Sequence, residues 1–343
     1  MKKLLVITPS FPKDASESHI IPFLQHVLGV FQKNHSEVEL TIIAIHKPVG
    51  EPYFFKGMGV IPLNGNDLKY PLKLWFLTKS FFKIWKLQRL NRYDGIFNLW
   101  FHEFSVFTPF INKNTFTWLM GQDVKNNNLT LKIFTPKPDK IRALSHFNNE
   151  ILYKTAGIRA HKIIPMAIDE AIFPELNEGE RAIAIFGAGW LSTLKNYKLF
   201  LEVILEVKKT IPAIKAEIAG TGDQETALKL FATENNLQDN VVFTGLISHR
   251  ETLEKMNNSK IFLHPSIYEG GSTVYFEALF SGCQLIGTLP MMDKTLENFH
   301  LHESKKAIVE KIIWLLENPI PAKRIRYYSM DFVCQEIYDL FYS

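Results

Sequence analysis

The sequence of 343 residues contains only two cysteines, Cys283 and Cys334, which excludes a disulfide framework and a four-cysteine zinc site. No apolar run approaches the roughly 20 residues that span a bilayer, and the short run 4–7 ends at a Thr-Pro pair without the length of a signal peptide. Lys and Arg number 39 against 35 Asp and Glu, and a net charge of +4 is too small to indicate nucleic-acid binding. We therefore expect a cytoplasmic protein with no nucleic-acid partner.

Two glycine-containing turns lack the complete dinucleotide-binding fingerprint. Gly187-Ala-Gly189 has no third glycine at the required spacing, and after Gly220-Thr-Gly222 that position holds Glu225. The sequence therefore disfavours a nicotinamide-dependent dehydrogenase.

Hydrophobic residues are abundant, at 46% of the chain, and charged residues make up 22%. This balance excludes long disordered tails, and the length favours two domains of ordinary size. Aromatic residues, at 13% with 27 Phe, supply either a large core or an aromatic surface.

Short β-rich runs alternate with longer helical patterns in two successive series, as βαβ units around a parallel sheet do. The first series predicts strands over 4–7, 38–45, 95–99, 115–120 and 140–144 and helices over 20–31 and 72–90. The second predicts strands over 182–186, 216–219, 241–243, 260–264 and 284–287 and helices over 197–208, 224–235, 249–256, 273–280 and 304–316. We expect an α/β protein with two doubly wound, Rossmann-like domains, 1–167 and 168–325, and a last helix within 326–343 that packs back on the first domain.

The most informative segment runs from His264 to Gly287. A strand ends at His264, a loop with Glu269-Gly270-Gly271 follows, and a helix begins near Thr273. Glycines let a ligand approach the backbone, and a helix start offers free N–H groups and a positive dipole end to a diphosphate. The carboxylates of Glu269 and Glu277 can accept hydrogen bonds from sugar hydroxyls. In the alternative interpretation, Thr273 only caps the helix and Glu277 only complements its dipole.

Seven residues separate Glu269 from Glu277, with Pro265-Ser266 before and Gly282 after them. This pattern resembles the donor-binding motif of GT-B glycosyltransferases of the retaining family 4 (group 1). Other segments resemble the same family, more specifically in the carboxyl-terminal half than in the amino-terminal half: 145–150, 163–169, 184–195, 217–223 and 241–246. The resemblance implies the GT-B fold, in which two Rossmann-like domains face each other across a cleft.

By this resemblance, Glu277 binds the ribose hydroxyls of a nucleotide-diphosphate sugar and Glu269 contacts the transferred sugar. Lys195 pairs with the diphosphate and stabilises the leaving group as negative charge develops. The other donor-binding residues that the resemblance implies are Gly189, Gly245, Gly270, Gly271, Ser272 and Thr273.

The sequence departs from the family pattern near the phosphates. The Arg beside the family's Lys is replaced by Trp190, so Arg250 or the helix ends must supply the second positive charge. Asn196 replaces the glycine that follows that Lys. The first loop lacks the usual Gly-Gly, which leaves Ser16 and Ser18 to approach the ligand.

His102 follows a predicted strand and resembles a His-Glu pair that lies near the reacting sugar in some family members; it would then be catalytic with Glu269 and Lys195. An ordinary core or surface histidine is the alternative. Met120-Gly-Gln-Asp123 resembles a His-Gly-Xaa-Asp segment and would place Asp123 on the acceptor side.

No Asp-Xaa-Asp occurs, the motif that holds a divalent metal in the other large glycosyltransferase fold, and no zinc-like Cys/His spacing is present. We therefore expect no metal and no cofactor besides the sugar donor. Lys195 and helix dipoles would do the electrostatic work of the metal.

The segment 69–92 contains seven basic residues, no acidic residue and five interleaved Trp and Phe. Two interpretations remain open: an ordinary helix whose aromatic residues face its own sheet, or a helix that contacts an acidic membrane surface. The second would suit a lipid-linked saccharide acceptor.

The sequence therefore predicts a retaining glycosyltransferase that transfers a sugar from a nucleotide-diphosphate sugar to a saccharide or lipid-linked saccharide, in the synthesis of a cell-surface polysaccharide or glycolipid. Peripheral contact with the inner face of the plasma membrane is part of this expectation. The alternatives are a nucleotide-sugar epimerase of the same architecture and a non-catalytic nucleotide-sugar-binding protein.

Overall fold

The computed structural model describes residues 1–14, 17, 20–48, 50–65, 68–69, 71–292 and 295–343. Contacts divide these residues into an amino-terminal unit, made of 1–167 and 328–343, and a carboxyl-terminal unit, made of 168–327. Each unit is built around its own, almost entirely parallel sheet.

The described part of the amino-terminal unit contains an eight-stranded sheet of order β3-β4-β2-β1-β5-β6-β7-β8, in which only β3 and β4 are antiparallel. The strands are β1 (Lys2–Thr8), β2 (Val38–Ala44), β3 (Tyr53–Phe55), β4 (Met58–Pro62), β5 (Gly95–Leu99), β6 (Thr115–Trp118), β7 (Ile141–Ala143) and β8 (Lys162–Ile163). The helices before the unit boundary are α1 (Pro22–Asn34), α2 (Leu72–Asn91), α3 (Glu103–Ile111), α4 (Leu129–Ile133) and α5 (His146–Ala156).

The carboxyl-terminal unit contains a six-stranded sheet of order β11-β10-β9-β12-β13-β14 in its described residues, with every pairing parallel. Its strands are β9 (Ile183–Ala188), β10 (Ala216–Ala219), β11 (Val241–Gly245), β12 (Ser259–His264), β13 (Gln284–Gly287) and β14 (Phe299–Leu301). Its helices are α6 (Tyr197–Thr210), α7 (Glu225–Glu234), α8 (His249–Asn257), α9 (Thr273–Phe280) and α10 (Lys305–Glu317).

The last helix, α11 (Met330–Tyr342), packs against α1 of the amino-terminal unit. Its buried side chains include Cys334 and Ile337, which belong to the same apolar cluster as β1 and α1. A Cβ on Gly95 would lie 2.2 Å from the ring of Phe341, so glycine at the start of β5 makes room for this helix.

The central strands of both sheets are hydrophobic without alternation, because helices cover both faces of a parallel sheet. Residues 4–7 of β1 and 261–264 of β12 are all buried. The predicted strands over 95–99, 216–219 and 284–287 and the predicted helix over 273–280 coincide with β5, β10, β13 and α9. Other predicted elements are present with ends that differ by one to three residues, whereas β3, β4, β8, β14, α3, α4 and α5 were not predicted.

None of the helices in the described part of the chain combines the length and the hydrophobicity of a membrane span.

Candidate functional site

Two loops meet at the carboxyl edge of the second sheet, where the strand order reverses between β9 and β12. One loop follows β9 and leads into α6, and the other follows β12 and leads into α9. The Ile267 N–H donates to the Leu194 carbonyl oxygen over 2.9 Å and joins them. Open α/β sheets bind ligands at this kind of position, so the predicted donor residues lie at the edge where a ligand is expected.

Glu269 is the centre of a compact charged cluster in these loops. Its Oε1 lies 2.5 Å from Lys195 Nζ and 2.7 Å from His264 Nε2, and it accepts a hydrogen bond from Ser266 Oγ over 2.8 Å. The residue is only 9% exposed. The structure thus brings together Glu269 and Lys195, and it adds His264 and Ser266, which the sequence analysis did not single out as functional.

Burial by itself would raise the pKa of Glu269, but the hydrogen bond from His264 and the nearby Lys195 ammonium lower it to about 2. Burial lowers the pKa of His264 in turn, so the ring is neutral near pH 7 and donates its Nε2 proton to the carboxylate. The cluster therefore holds one ionised carboxylate and one ammonium.

Glu277, on the second turn of α9, pairs with His249, the first residue of α8. The Nε2 of His249 lies 2.9 Å from Glu277 Oε1, and this hydrogen bond raises the pKa of His249. Sequence reasoning missed His249, because a histidine at a helix start carries no local signal for the carboxylate that it meets.

The first turn of α9 leaves backbone N–H groups available. Ser272 takes the N-cap position, yet within the described residues its side chain caps none of these N–H groups. Gly270 and Ser272 are buried, and Gly271 and Thr273 are half-buried. A helix start of this kind stabilises an anion, and the loop that leads into it is the one that carries Glu269.

Glycines shape the loop after β9. Gly189 has a φ of 153°, and a Cβ on Gly220 would lie 1.9 Å from the Gly189 carbonyl oxygen. Gly222 also passes close to Leu191, since a Cβ on Gly222 would lie 2.4 Å from the Leu191 carbonyl oxygen. The Gly220-Thr-Gly222 turn therefore supports the Gly189 loop from behind, and the Gly245 carbonyl oxygen accepts from the Gly220 N–H over 2.8 Å.

The structure shows the conformation and surroundings of the residues that depart from the family pattern. Asn196 has a φ of 52°, a left-handed conformation that Asn tolerates better than most residues, so it can replace a glycine. Trp190 is 58% exposed. Arg250 lies on the surface and pairs with Glu254 over 3.0 Å, rather than with any residue of the Glu269 cluster.

His102 and Asp123 lie in the amino-terminal unit. His102 is the N-cap of α3, where Nδ1 accepts from the Phe104 N–H over 3.2 Å. The buried Asp123 carboxylate accepts from the backbone N–H groups of Phe101, Met120 and Gly121 over 2.7–3.0 Å, so it joins the loops after β5 and β6. Its hydrogen bonds go to the backbone of these two loops, and its place on the acceptor side stays a prediction. Ser16 and Ser18 lie outside the described residues.

Among the described residues, no group of three or more His, Cys, Asp or Glu could hold a metal ion.

Residues 168–331 match the family model described as glycosyl transferases group 1. The chain is 27% identical over 154 residues to a phosphatidylinositol N-acetylglucosaminyltransferase subunit of Arabidopsis thaliana, which is 44% of this chain and 34% of that protein. It is 30% identical over 111 residues to the alpha-monoglucosyldiacylglycerol synthase of Streptococcus pneumoniae, which is 32% of this chain and 25% of that protein. The matched segments thus span about a third or less of the length of these curated relatives.

Solved structures of the same fold cover the whole chain. S. aureus TarM, bound to UDP, Fondaparinux and alpha-GlcNAc-glycerol, matches with a TM-score of 0.70 at 12% identity over 100% of both chains. Anabaena HepE, bound to UDP and glucose, matches with a TM-score of 0.69 at 14% identity over 99% of both chains. The chain therefore has the GT-B fold, and its residues 168–331, slightly less than half of its length, are similar to the group 1 glycosyl transferases.

Proposed function

We propose that this protein is a retaining glycosyltransferase of family 4 that transfers a sugar from a nucleotide-diphosphate sugar to an acceptor hydroxyl. The observation that carries the proposal is the Lys195–Glu269 pair, which puts an ammonium and an ionised carboxylate beside the first turn of α9. A diphosphate-linked sugar needs both charges, because its phosphates are anionic and its hydroxyls bond to carboxylates.

In this assignment Glu277 accepts hydrogen bonds from the ribose hydroxyls and Glu269 from the transferred sugar. The N–H groups of Gly270, Gly271, Ser272 and Thr273 hold the phosphates, with Gly189 and Gly245 in the adjacent loops. Lys195 turns from Glu269 towards the diphosphate when the donor binds.

During transfer the bond from the sugar C1 to the diphosphate oxygen breaks, and a bond from the acceptor oxygen to C1 forms. Negative charge develops on the departing nucleoside diphosphate. Lys195 and the α9 N–H groups are already in place to stabilise that charge, which is the most effective form of electrostatic catalysis. These residues do the work that a divalent metal does elsewhere, so we expect metal-independent activity.

We further propose that the acceptor is a lipid-linked saccharide at a membrane surface, in cell-surface polysaccharide or glycolipid synthesis. Two curated relatives are named for transfer to phosphatidylinositol and for synthesis of a glucosyldiacylglycerol. The exposed face of α2 supports the same idea: Trp75 is 63% exposed and Phe82 is 59% exposed, and their spacing of seven residues places them on one face.

Basic residues lie among the exposed aromatic rings of α2. Lys79 lies 4.9 Å from the centroid of the Trp75 ring, Arg89 lies 4.2 Å from that of Trp85, and Lys83 and Lys86 are exposed between them. Since the segment has no acidic residue, this face complements an anionic lipid surface. The protein would then work in the cytoplasm, peripherally at the inner face of the plasma membrane.

The donor site is tested by thermal shift with UDP-, GDP-, ADP- and TDP-sugars on the wild type, on Glu277→Gln and on Glu234→Gln, an exposed matched control. One nucleotide should stabilise the wild type and the control by about 2.7 kcal/mol at a hundredfold excess over Kd, because it binds only the folded state. The Glu277→Gln variant should lose this stabilisation. Equal stabilisation of all three proteins would place the nucleotide elsewhere and contradict the assignment.

Product analysis with the same donor separates the alternative functions. An epimerase would change the donor without an acceptor, and a binding protein would show no turnover with any acceptor. Sugar transfer with retained anomeric configuration, undiminished by a metal chelator, is the outcome that we expect.

A further inference from the structure

A cavity of about 400 Å³ lies within the carboxyl-terminal unit, at the opposite edge of the sheet from the Glu269 cluster. Its polar lining comes from the amino ends of three strands: Arg181 precedes β9, Lys260 is the second residue of β12 and Gln284 begins β13. The loops with Gly189 and Glu269 follow the other ends of β9 and β12. These strands have six residues each and span about 20 Å, so the cavity is separate from the proposed donor site.

Arg181 is a buried cation in this lining, and its contacts are with neutral groups. The residue is 6% exposed, and its three kinds of nitrogen donate to the carbonyl oxygens of Asn177, Ser259 and Ser281 over 2.8–3.1 Å. The Cys283 thiol, whose pKa is raised by burial to about 12, is a further neutral neighbour. Within the described ranges, no acidic side chain forms an ion pair with Arg181.

A full charge that is buried against carbonyl groups is compensated only in part. The consequence is visible at Arg181, because burial lowers the pKa of its guanidinium. An anion in the cavity would supply the missing charge.

Gln284 brings an unused hydrogen-bond donor to the same cavity. The residue is 6% exposed, and its Oε1 accepts from His300 Nε2 over 2.9 Å, since an amide oxygen can only accept. Its Nε2 is buried and has no hydrogen-bond partner in the described part of the chain. A buried donor without a partner is costly, and an acceptor atom in the cavity would satisfy it.

The fold directs Gln284 towards an apolar wall of the cavity. Alternate residues of a strand share a face, so Gln284 lies on the same face of β13 as Ile286, which packs in one apolar cluster with Ile261 and Leu315. Both Ile261 and Leu315 line the cavity, and residues 319–321 after α10 complete the wall. The cavity thus combines an apolar wall with a buried cation and an unused donor.

The exposed charged residues of the lining limit the charge of the ligand. Lys260 adds a second cation, whereas Glu178 and Glu180 are acidic. Two carboxylates repel a dianion, such as a phosphate monoester, more strongly than they repel a monoanion. A carboxylate carries a single charge on two oxygens, and this geometry matches the planar N–H groups of a guanidinium.

We propose that this cavity binds a small monocarboxylate with an apolar body, through Arg181, Lys260 and Gln284. The volume lies within the roughly 300–1,000 Å³ of small-molecule sites. The carboxylate accepts from the Gln284 amide and the Arg181 guanidinium, and the body packs on the apolar wall. This site goes beyond the proposed transferase function and does not depend on it.

Ligand-observed NMR titrations with benzoate and hexanoate, without any nucleotide, test the proposal. At least one of them should bind the wild type, and benzamide, the neutral analogue of benzoate, should bind about tenfold more weakly or less. Gln284→Glu keeps an acceptor for His300 but puts a negative charge beside the carboxylate, so it should weaken binding about tenfold or more. Gln238→Glu, an exposed glutamine of the same unit, is the matched control and should bind normally.

An exposed residue gives a second variant that leaves the core intact. Lys260→Met should weaken binding about threefold, and Lys306→Met, with the same change of charge, should not. Thermal melts confirm that each variant is folded.

Hydrogen exchange then locates the ligand. Both segments that join the two units line the cavity, since 178–181 follows the first crossing of the chain and 319–322 precedes the second. Exchange in peptides that contain these segments should slow when benzoate is added. Exchange in peptides from the loop 189–195 should stay the same.

The proposal is overturned if neither carboxylate binds the wild type, if benzamide binds as well as benzoate, or if Gln284→Glu binds as well as Gln238→Glu. Should Gln284→Glu fail to fold, the comparison of Lys260→Met with Lys306→Met decides in the same way. Tighter binding of phenyl phosphate than of benzoate would contradict the choice of a monocarboxylate. Benzoate binding should persist in Glu277→Gln, so failure of this site and failure of the donor site are distinguishable.

Discussion

One oxygen of Glu269 receives three hydrogen-bond donors, and this concentration of bonds has an energetic cost when the carboxylate is protonated. Its pKa is lowered to about 2 from an ordinary value of 4.5. A lowered carboxylate pKa contributes stability that is complete above the pKa of the unfolded chain and is lost as the pH falls towards the folded value. The relevant window is therefore about pH 4.5 to 2.

We predict that the wild type loses about 3 kcal/mol of unfolding free energy across this window through Glu269 alone. In Glu269→Gln this component of the pH dependence should be absent. Urea titrations at pH 7, 4, 3 and 2 measure it, with the exposed Glu234→Gln as the matched control. Parallel pH dependence in all three proteins would show that Glu269 is not the tightly held carboxylate described above.

The contribution of the His249–Glu277 pair to stability depends on pH in the opposite direction from that of Glu269. The hydrogen bond from Glu277 raises the pKa of His249, so the pair stabilises the fold below about pH 6.5 and loses that contribution as the pH rises through the folded pKa. We predict that His249 titrates above its ordinary value in the wild type and closer to it in Glu277→Gln. Histidine Cε1–H resonances followed by NMR measure this, and an unchanged titration in the variant would contradict the pairing.

At the scale of elements, α2 is apolar on the face that packs against the sheet and both apolar and basic on the face that meets solvent. Phe76 and Ile84 are buried, while Trp75 and Phe82 are exposed. The structure packs some of these aromatic residues inward and exposes others, and contact of the exposed ones with an acidic membrane stays a prediction.

We predict that changing Lys79, Lys83 and Lys86 to Glu abolishes co-sedimentation with phosphatidylserine-containing vesicles. Loss of three basic residues near the surface, at about 1 kcal/mol each, weakens binding by about a hundredfold or more. The matched control changes the exposed Lys33, Lys137 and Lys154 to Glu and reaches the same net charge, 4 − 6 = −2. If the control loses binding as fully as the α2 variant, bulk charge and not α2 is responsible.

The carboxyl-terminal elements could be predicted from the sequence because they are regular. The strands there are short apolar runs, and caps such as Ser248 and Ser304 mark helix starts in the usual way. Several elements of the amino-terminal unit have unusual sequence signals. Helix α3 contains Pro109 and has a histidine as its N-cap. The β3–β4 turn uses Lys56-Gly57, both with positive φ, in place of the common Asn-Gly.

The residues of the candidate site could likewise be predicted only in part. The carboxylates and Lys195 could be predicted because their spacing along the chain resembles a family pattern. The imidazoles that contact the carboxylates could not be predicted, since His264 and His249 meet Glu269 and Glu277 only through the packing of the folded chain. Ser266 likewise appeared in the sequence only as part of a Pro-Ser pair.

At the scale of the whole molecule, α11 completes the core of the amino-terminal unit although it follows the carboxyl-terminal unit in sequence. Ile337 is 1% exposed in that core, and its truncation to Ala should cost about 2–5 kcal/mol. We predict that hydrogen exchange in Ile337→Ala rises in peptides from β1 and α1, with no change in peptides from β9 and α6. Loss of protection in β9 and α6 would show that α11 stabilises the other unit.

This arrangement reverses the usual order of folding on the ribosome, where the segment made first is normally the first to fold. Residues 1–167 leave the exit tunnel early, but α1 cannot pack against α11 until residues 330–342 have been synthesised. The unit made of 168–327 is contiguous, so it has all of its own strands and helices before then. In a nascent chain, the unit made of 168–327 should therefore fold first. The amino-terminal unit should still expose the apolar surface of α1 to chaperones at that stage.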